Sequence, residues 1–198
     1  MHVVNRISIL ALFSALALAA AEPPILQVRP FQPGRRVAIL FVADEGVHEK
    51  LRGEYLPPTQ TRLARLHANL VVTEDVFEDE GAIAAAAARL VARADLLIIA
   101  GQTSIMHEED TTLRALRAAG AGETLSGSPV EPGNLLALAY FPETPVLCAP
   151  GCAKGLRRNV VDLVLPRLLL GDRLGRPDLA AMALGGFLTA AERAGDIT

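Results

Sequence analysis

The chain has 198 residues, 51% of them apolar and only 4% aromatic, and a formal net charge of -3. That length suits one core of about 150 residues plus tails better than two full domains. No block of Lys and Arg is present, so the sequence carries no electrostatic footprint for nucleic acid.

The first segment leaves alternatives open. His2 and Arg6 precede an apolar stretch from Ile7 to Ala21, and Ala17-Leu18-Ala19 has the form of a small-residue cleavage site. The stretch is short for a membrane span. It reads either as a helix over 7–21, a remnant of a larger chain among the options, in a cytoplasmic protein, or as the signal peptide of an exported one. The rest of the chain has an open α/β pattern and no disulfide framework and does not look secreted, so a helix is expected. Glu22-Pro23-Pro24 ends the stretch, and Pro30 to Gly34 is extended linker. Residues 1–35 are thus set apart from a domain over 36–184, with a tail at 185–198.

From Arg36 strands and helices alternate. Val37 to Val42 is a short apolar strand ending at Ala43-Asp44-Glu45-Gly46. Val47 to Leu56 is polar and predicts a loop or broken helix. Pro57-Pro58 suits a helix start, with Leu63, Leu66 and Leu70 at helical spacing. A second strand is expected over 70–76. Glu78-Asp79-Glu80 then precedes a helix with Ile83, Ala87, Leu90 and Val91 on one face, and acidic residues there suit the helix dipole. Asp95 to Ala100 predicts a strand, and a helix follows over about 110–119. Glu123 to Val130 reads as a small hairpin or edge strand, and Leu135 to Tyr140 as a short apolar helix. Pro145 to Ala149 is the last strand. The helix after it carries Leu156, Val160, Val161, Val164, Leu165 and Leu168 on one stripe, and a terminal helix is expected over 178–184.

This alternation predicts a three-layer α/β fold, with a mainly parallel central sheet and helices on both faces. The loops at the carboxyl ends of its strands would share one edge, where such sheets bind ligands. Two of them are similar: the run ending in Gly101-Gln102-Thr103-Ser104, and the run ending in Pro150-Gly151. Each opens a helix, a setting that suits anions. Asp44, Asp79, Asp110 and Lys154 would lie on the same edge. The plainer readings stand beside these: Asp44 and Asp79 as turn and N-cap residues, and His107 as a solvent-facing loop residue. Cys148 and Cys152 read as buried thiols. No phosphate-binding G-x-x-x-x-G-K-[ST] loop is present, and no G-x-G-x-x-G follows the first strand.

The order of these motifs resembles the molybdopterin-binding domain of molybdopterin adenylyltransferases and molybdenum insertion proteins. The middle motif of that family is matched by Gly101-Gln102-Thr103-Ser104 and Asp110-Thr111-Thr112, its acidic helix start by Asp79-Glu80-Gly81-Ala82-Ile83, and its late Pro-Gly motif by Pro150-Gly151-Cys152-Ala153-Lys154. The similarity runs over about 36–170. Gln102 replaces the family's second Gly, Met106 to Glu109 alters the middle loop, and Cys152-Ala153 stands where Pro is usual. The chain is therefore similar to divergent members.

The resemblance implies a binder of molybdopterin or the molybdenum cofactor, acting in the cytoplasm, where the family assembles the cofactor, in cofactor biosynthesis or insertion. The alternatives are an active Mg²⁺-ATP-dependent molybdopterin adenylyltransferase or a molybdenumtransferase, and a non-catalytic α/β interaction module. It implies Gly101, Thr103, Ser104, Pro150, Gly151 and Lys154 as cofactor-binding residues, with Asp79 and Asp110 as catalytic or Mg²⁺-organising carboxylates; no metal ligand set is assigned. Implied partners are molybdopterin or its nucleotide form, a molybdenum enzyme or another maturation domain, and a further copy of the chain.

Overall fold

The computed structural model describes residues 33–183. The expected helix over 7–21, most of the linker before the domain and the tail at 185–198 lie outside the described residues.

Six strands form one sheet: β1 (Arg36–Val42), β2 (Asn69–Val76), β3 (Leu96–Gly101), β4 (Glu123–Ser126), β5 (Ala137–Tyr140) and β6 (Pro145–Ala149). Their order across the sheet is β2-β1-β3-β6-β5-β4. β1, β2, β3 and β6 are parallel, and β5 runs antiparallel to both β4 and β6. The helices are α1 (His48–Arg65), α2 (Glu80–Val91), α3 (Thr111–Ala118), α4 (Val160–Leu169) and α5 (Arg176–Met182), with a 3-10 turn at Gly151–Lys154. Among the described residues no helix is long and apolar enough to cross a membrane.

The two-residue period of a strand sorts the core into two layers. Val37, Ile39 and Phe41 of β1 join Leu96 and Ile98 of β3 against Leu51, Tyr55 and Leu63 of α1 and Val164 and Leu168 of α4. Ala38, Leu40 and Val42, with Leu97 and Ile99, pack instead on Ile83, Ala87 and Leu90 of α2 and Leu113 and Leu116 of α3. A strand that is apolar at every position must be covered on both faces, and β1 and β3 are. β3 is central, paired with β1 on one side and β6 on the other.

Three local readings need correction. Val47 to Leu56 is not a loop, and no helix begins at Pro57-Pro58: one helix spans His48–Arg65 with both prolines inside it. Leu51, Tyr55, Pro58, Arg62 and Leu63 are buried at helical spacing, so packing on the sheet outweighs the backbone hydrogen bonds that proline forfeits. Leu135 to Tyr140 is not a helix. Its last four residues form β5, where Leu138 and Tyr140 face one core layer and Ala137 and Ala139 the other. A short apolar run has no period that separates these states; pairing with β4 and β6 decides it. The late helix begins only at Val160, where Asn159 and Asp162 form a capping box, and Leu156 lies outside it at the surface.

β2 is an outer strand. Its residues Glu74 and Asp75 are paired with Arg89 of α2 and Arg52 of α1, the latter through contacts of 2.8–3.0 Å.

Candidate functional site at the carboxyl edge of the sheet

Because β1, β2, β3 and β6 are parallel, the segments after them emerge on one edge. The loops after β3 and β6 meet there. A Cβ placed on Gly151 would stand 3.7 Å from Ser104 Oγ. A narrow cleft between the two loops is lined by Gly101, Thr103, Thr112, Cys148 and Ala149. Gly101 is required by contact rather than by its dihedral angles: a Cβ there would lie 2.7 Å from the Thr103 carbonyl oxygen.

Asp110 is the N-cap of α3, its Oδ1 accepting from Thr112 N at 2.9 Å. Asp79 is the N-cap of α2, its Oδ1 accepting from Ala82 N at 2.8 Å. Both carboxylates thus satisfy first-turn N–H groups that would otherwise lack a partner. Pro150 is buried; its carbonyl accepts from Ala153 N at 2.9 Å and, more weakly, from Tyr55 OH at 3.5 Å, so it shapes the turn. Lys154 lines a neighbouring depression with Lys50, Glu54 and Gln102, and its Nζ stands 2.7 Å from Glu54 Oε2. His107 is exposed, as expected.

Contacts that sequence patterns do not show complete this edge. Gln102 accepts from Asp44 N at 2.9 Å through Oε1 and donates to Asp44 Oδ2 at 2.7 Å. The Glu78 carboxyl is held above its ordinary range, first by partial desolvation and then by the charges of Asp110 and Asp44; a hydrogen bond with Thr103 acts the other way. These carboxylates share one neighbourhood, yet among the described residues no group of three or more His, Cys, Asp or Glu is placed to hold a metal ion.

The late loop is fixed from behind. Arg62, only 3% exposed, donates from Nε to Asp162 Oδ1 at 2.7 Å, from one terminal nitrogen to Ala153 O at 3.1 Å and from the other to Gly155 O at 2.8 Å. Asn159 Nδ2 adds a bond to Cys152 O at 3.2 Å. These bonds tie three carbonyls of this turn to side chains behind it. Burial pushes the Cys152 thiol up to about 11 and the Tyr55 hydroxyl up to about 12, and the buried Cys148 thiol rises further. None of the three is an ionised nucleophile at neutral pH.

A cavity of about 310 Å³ lies at the opposite edge, where Asp95, Thr144 and Pro145 precede or open their strands. It shares no residue with the loops above.

Residues 38–169 match the family model described as a probable molybdopterin binding domain. No curated protein matches the chain significantly. Among solved structures, the molybdopterin biosynthesis enzyme MoaB of Thermus thermophilus aligns with 71% of this chain and 99% of its own, at 20% identity and a TM-score of 0.53. A CinA protein of unknown function from Thermoplasma acidophilum aligns with 61% of this chain and 90% of its own, at 12% identity and a TM-score of 0.51. The molybdopterin biosynthesis protein MoeA of Pyrococcus horikoshii gives 20% identity and a TM-score of 0.51 over 80% of this chain, which spans only 39% of that protein. At these identities the likeness to solved structures is one of fold.

Proposed function

The chain belongs to the family of the probable molybdopterin binding domain, and we propose that its 36–184 domain binds molybdopterin or its nucleotide form at the carboxyl edge, in cytoplasmic cofactor biosynthesis or insertion. The observation that carries this reading is the meeting of the β3 and β6 loops, with Ser104 Oγ against Gly151. The donors there fit the ligand's chemistry. The hydroxyls of Thr103 and Ser104 suit a pterin edge, and the Lys154 ammonium, in the neighbouring depression, suits a phosphate. Gly101 lets its own turn fold back on Thr103, and Gly151 leaves the late turn without a side chain beside Ser104. Pro150 and Arg62 act behind the turn rather than on the ligand.

The test is expression of the full chain in a host that makes the cofactor, then fluorescence of any co-purified pterin and calorimetric titration with molybdopterin. Saturable binding that weakens in Ser104→Ala supports the reading. No pterin and no heat of binding would overturn it.

A second reading, adenylyl transfer with Mg²⁺-ATP, is favoured by the carboxylates Asp44, Glu78 and Asp110, which share one neighbourhood at this edge. Carboxylates tolerate a phosphate only where a cation offsets their charge. ATP-dependent consumption of molybdopterin by the purified chain separates the two readings. Interaction without catalysis or ligand, with a molybdenum enzyme for example, predicts neither result.

A further inference from the structure

The chain contains two lysines, Lys50 and Lys154. They come from segments about a hundred residues apart, yet both face one carboxylate. Glu54 Oε2 lies 2.7 Å from Lys154 Nζ, and Glu54 Oε1 lies 4.0 Å from Lys50 Nζ. The three side chains line a depression on the carboxyl edge together with Val47, Leu51 and Gln102. Lys154 Nζ also stands 5.3 Å from the centre of the Tyr55 ring, which steadies the ammonium over an aromatic face.

We infer that Glu54 occupies the place of a ligand's anionic group between Lys50 and Lys154, so that a phosphate binds this depression by displacing the Glu54 side chain. This rests on the molybdopterin reading for its ligand and adds to it a second lysine and an internal competitor.

The chemistry is one of exchange between like groups. A carboxylate and a phosphate oxygen accept the same N⁺–H···O⁻ hydrogen bond. Glu54 and Lys154 are each about one-third exposed, so water already screens their attraction and the pair is weak enough to open. Glu54 lies one helical turn from Lys50 on α1, so it can leave Lys154 and turn toward solvent while the helix stays as it is. Lys154 is held from below by Tyr55 and by the turn that Arg62 fixes, so it stays in place for the incoming group. Gln102 is tied to Asp44 and does not compete.

The experiment titrates the ¹⁵N-labelled full chain with inorganic phosphate at constant ionic strength. The side-chain ammonium signals are followed, of which two lysines give only two. Expected are saturable shifts of the Lys154 signal, affinity about tenfold tighter in Glu54→Gln, and affinity at least severalfold weaker in Lys50→Ala. Thermal melts of each variant verify that it is folded. Linear shifts without saturation, or a Glu54→Gln affinity within twofold of the parent, would overturn the inference. Molybdopterin is titrated in parallel. Phosphate behaving as expected while molybdopterin fails to bind would defeat the functional reading alone; molybdopterin binding that is indifferent to Glu54→Gln would defeat the exchange alone.

Discussion

The carboxamide of Gln102 closes on Asp44 with two hydrogen bonds, accepting from its N–H at 2.9 Å and donating to its Oδ2 at 2.7 Å. One side chain thereby joins the turn after β1 to the turn after β3, where the resembled pattern has glycine. Replacing it with glycine removes both bonds and frees an N–H at the edge. We expect Gln102→Gly to lose about 1 kcal/mol of stability in urea unfolding. We also expect it to bind molybdopterin more tightly in calorimetry, because glycine at this position lets a ligand come closer to the backbone. An unchanged affinity would mean that Gln102 serves the fold alone.

Asp110 carries a cap and a charge, and substitutions separate them. Asp110→Asn keeps a capping oxygen for Thr112 N, so stability should change by less than about 0.5 kcal/mol, whereas Asp110→Ala should lose about 1 kcal/mol. If the charge organises the ligand, both variants bind molybdopterin equally poorly. If binding follows stability instead, the role of Asp110 ends with α3.

Arg62 is buried and bonded to Asp162, Ala153 O and Gly155 O. Removing it leaves two carbonyls without this donor and the Asp162 carboxylate with the Asn159 N–H but no cation. Arg62→Ala is expected to cost about 3–5 kcal/mol in denaturant unfolding. A loss under about 1 kcal/mol would show that water replaces the guanidinium without penalty.

Glu78 should reveal itself through pH. Its carboxyl is raised in the folded chain, first by desolvation and then by Asp110 and Asp44, so folding favours the protonated form. Ionisation therefore costs stability. The cost begins as pH rises through the unfolded value, about 4.3, and is complete above the raised folded value. Glu78→Gln should melt higher than the parent at neutral pH and converge with it in acid, below the unfolded value. Parallel melting curves across that range would remove the proposed crowding of charge.

The two free thiols should resist modification. Cys148 is buried, and Cys152 is held at about 11. In mildly alkaline buffer a disulfide reagent should modify the native chain far more slowly than the denatured chain. Rapid reaction of one thiol in the native state would show that the late turn opens.

What the sequence makes legible follows from how local each cause is. β1, β3 and β6 are readable because a strand covered on both faces leaves an unbroken apolar run, and the turns at Gly101 and Gly151 end those runs. β5 is not, because four buried residues carry no period, and only its neighbours make it a strand. The Asp79 cap is visible as the plainer of two readings, since an Asp before a helical pattern announces itself. Glu54 is hidden by Pro57-Pro58, which suggest a helix start too late in the chain: with α1 starting at His48, Lys50 and Glu54 stand one turn apart, but a loop shows no such pair. Its bond to Lys154 and the reach of Arg62 to Ala153 and Gly155 join positions about ninety to a hundred residues apart. No spacing rule reaches that far.

The outer strand β2 bears on how copies of this protein behave when crowded together. Among the described residues no strand pairs with its outer margin, and such a margin is a row of backbone donors and acceptors, the template on which sheets extend from molecule to molecule. Val71 stands bare there, yet Glu74 and Asp75 hold Arg89 and Arg52 across the flanks of the same strand. An arriving strand would have to strip water from both ion pairs before its first ladder bond formed. The charged pairs thus make this margin a poor seed for aggregation.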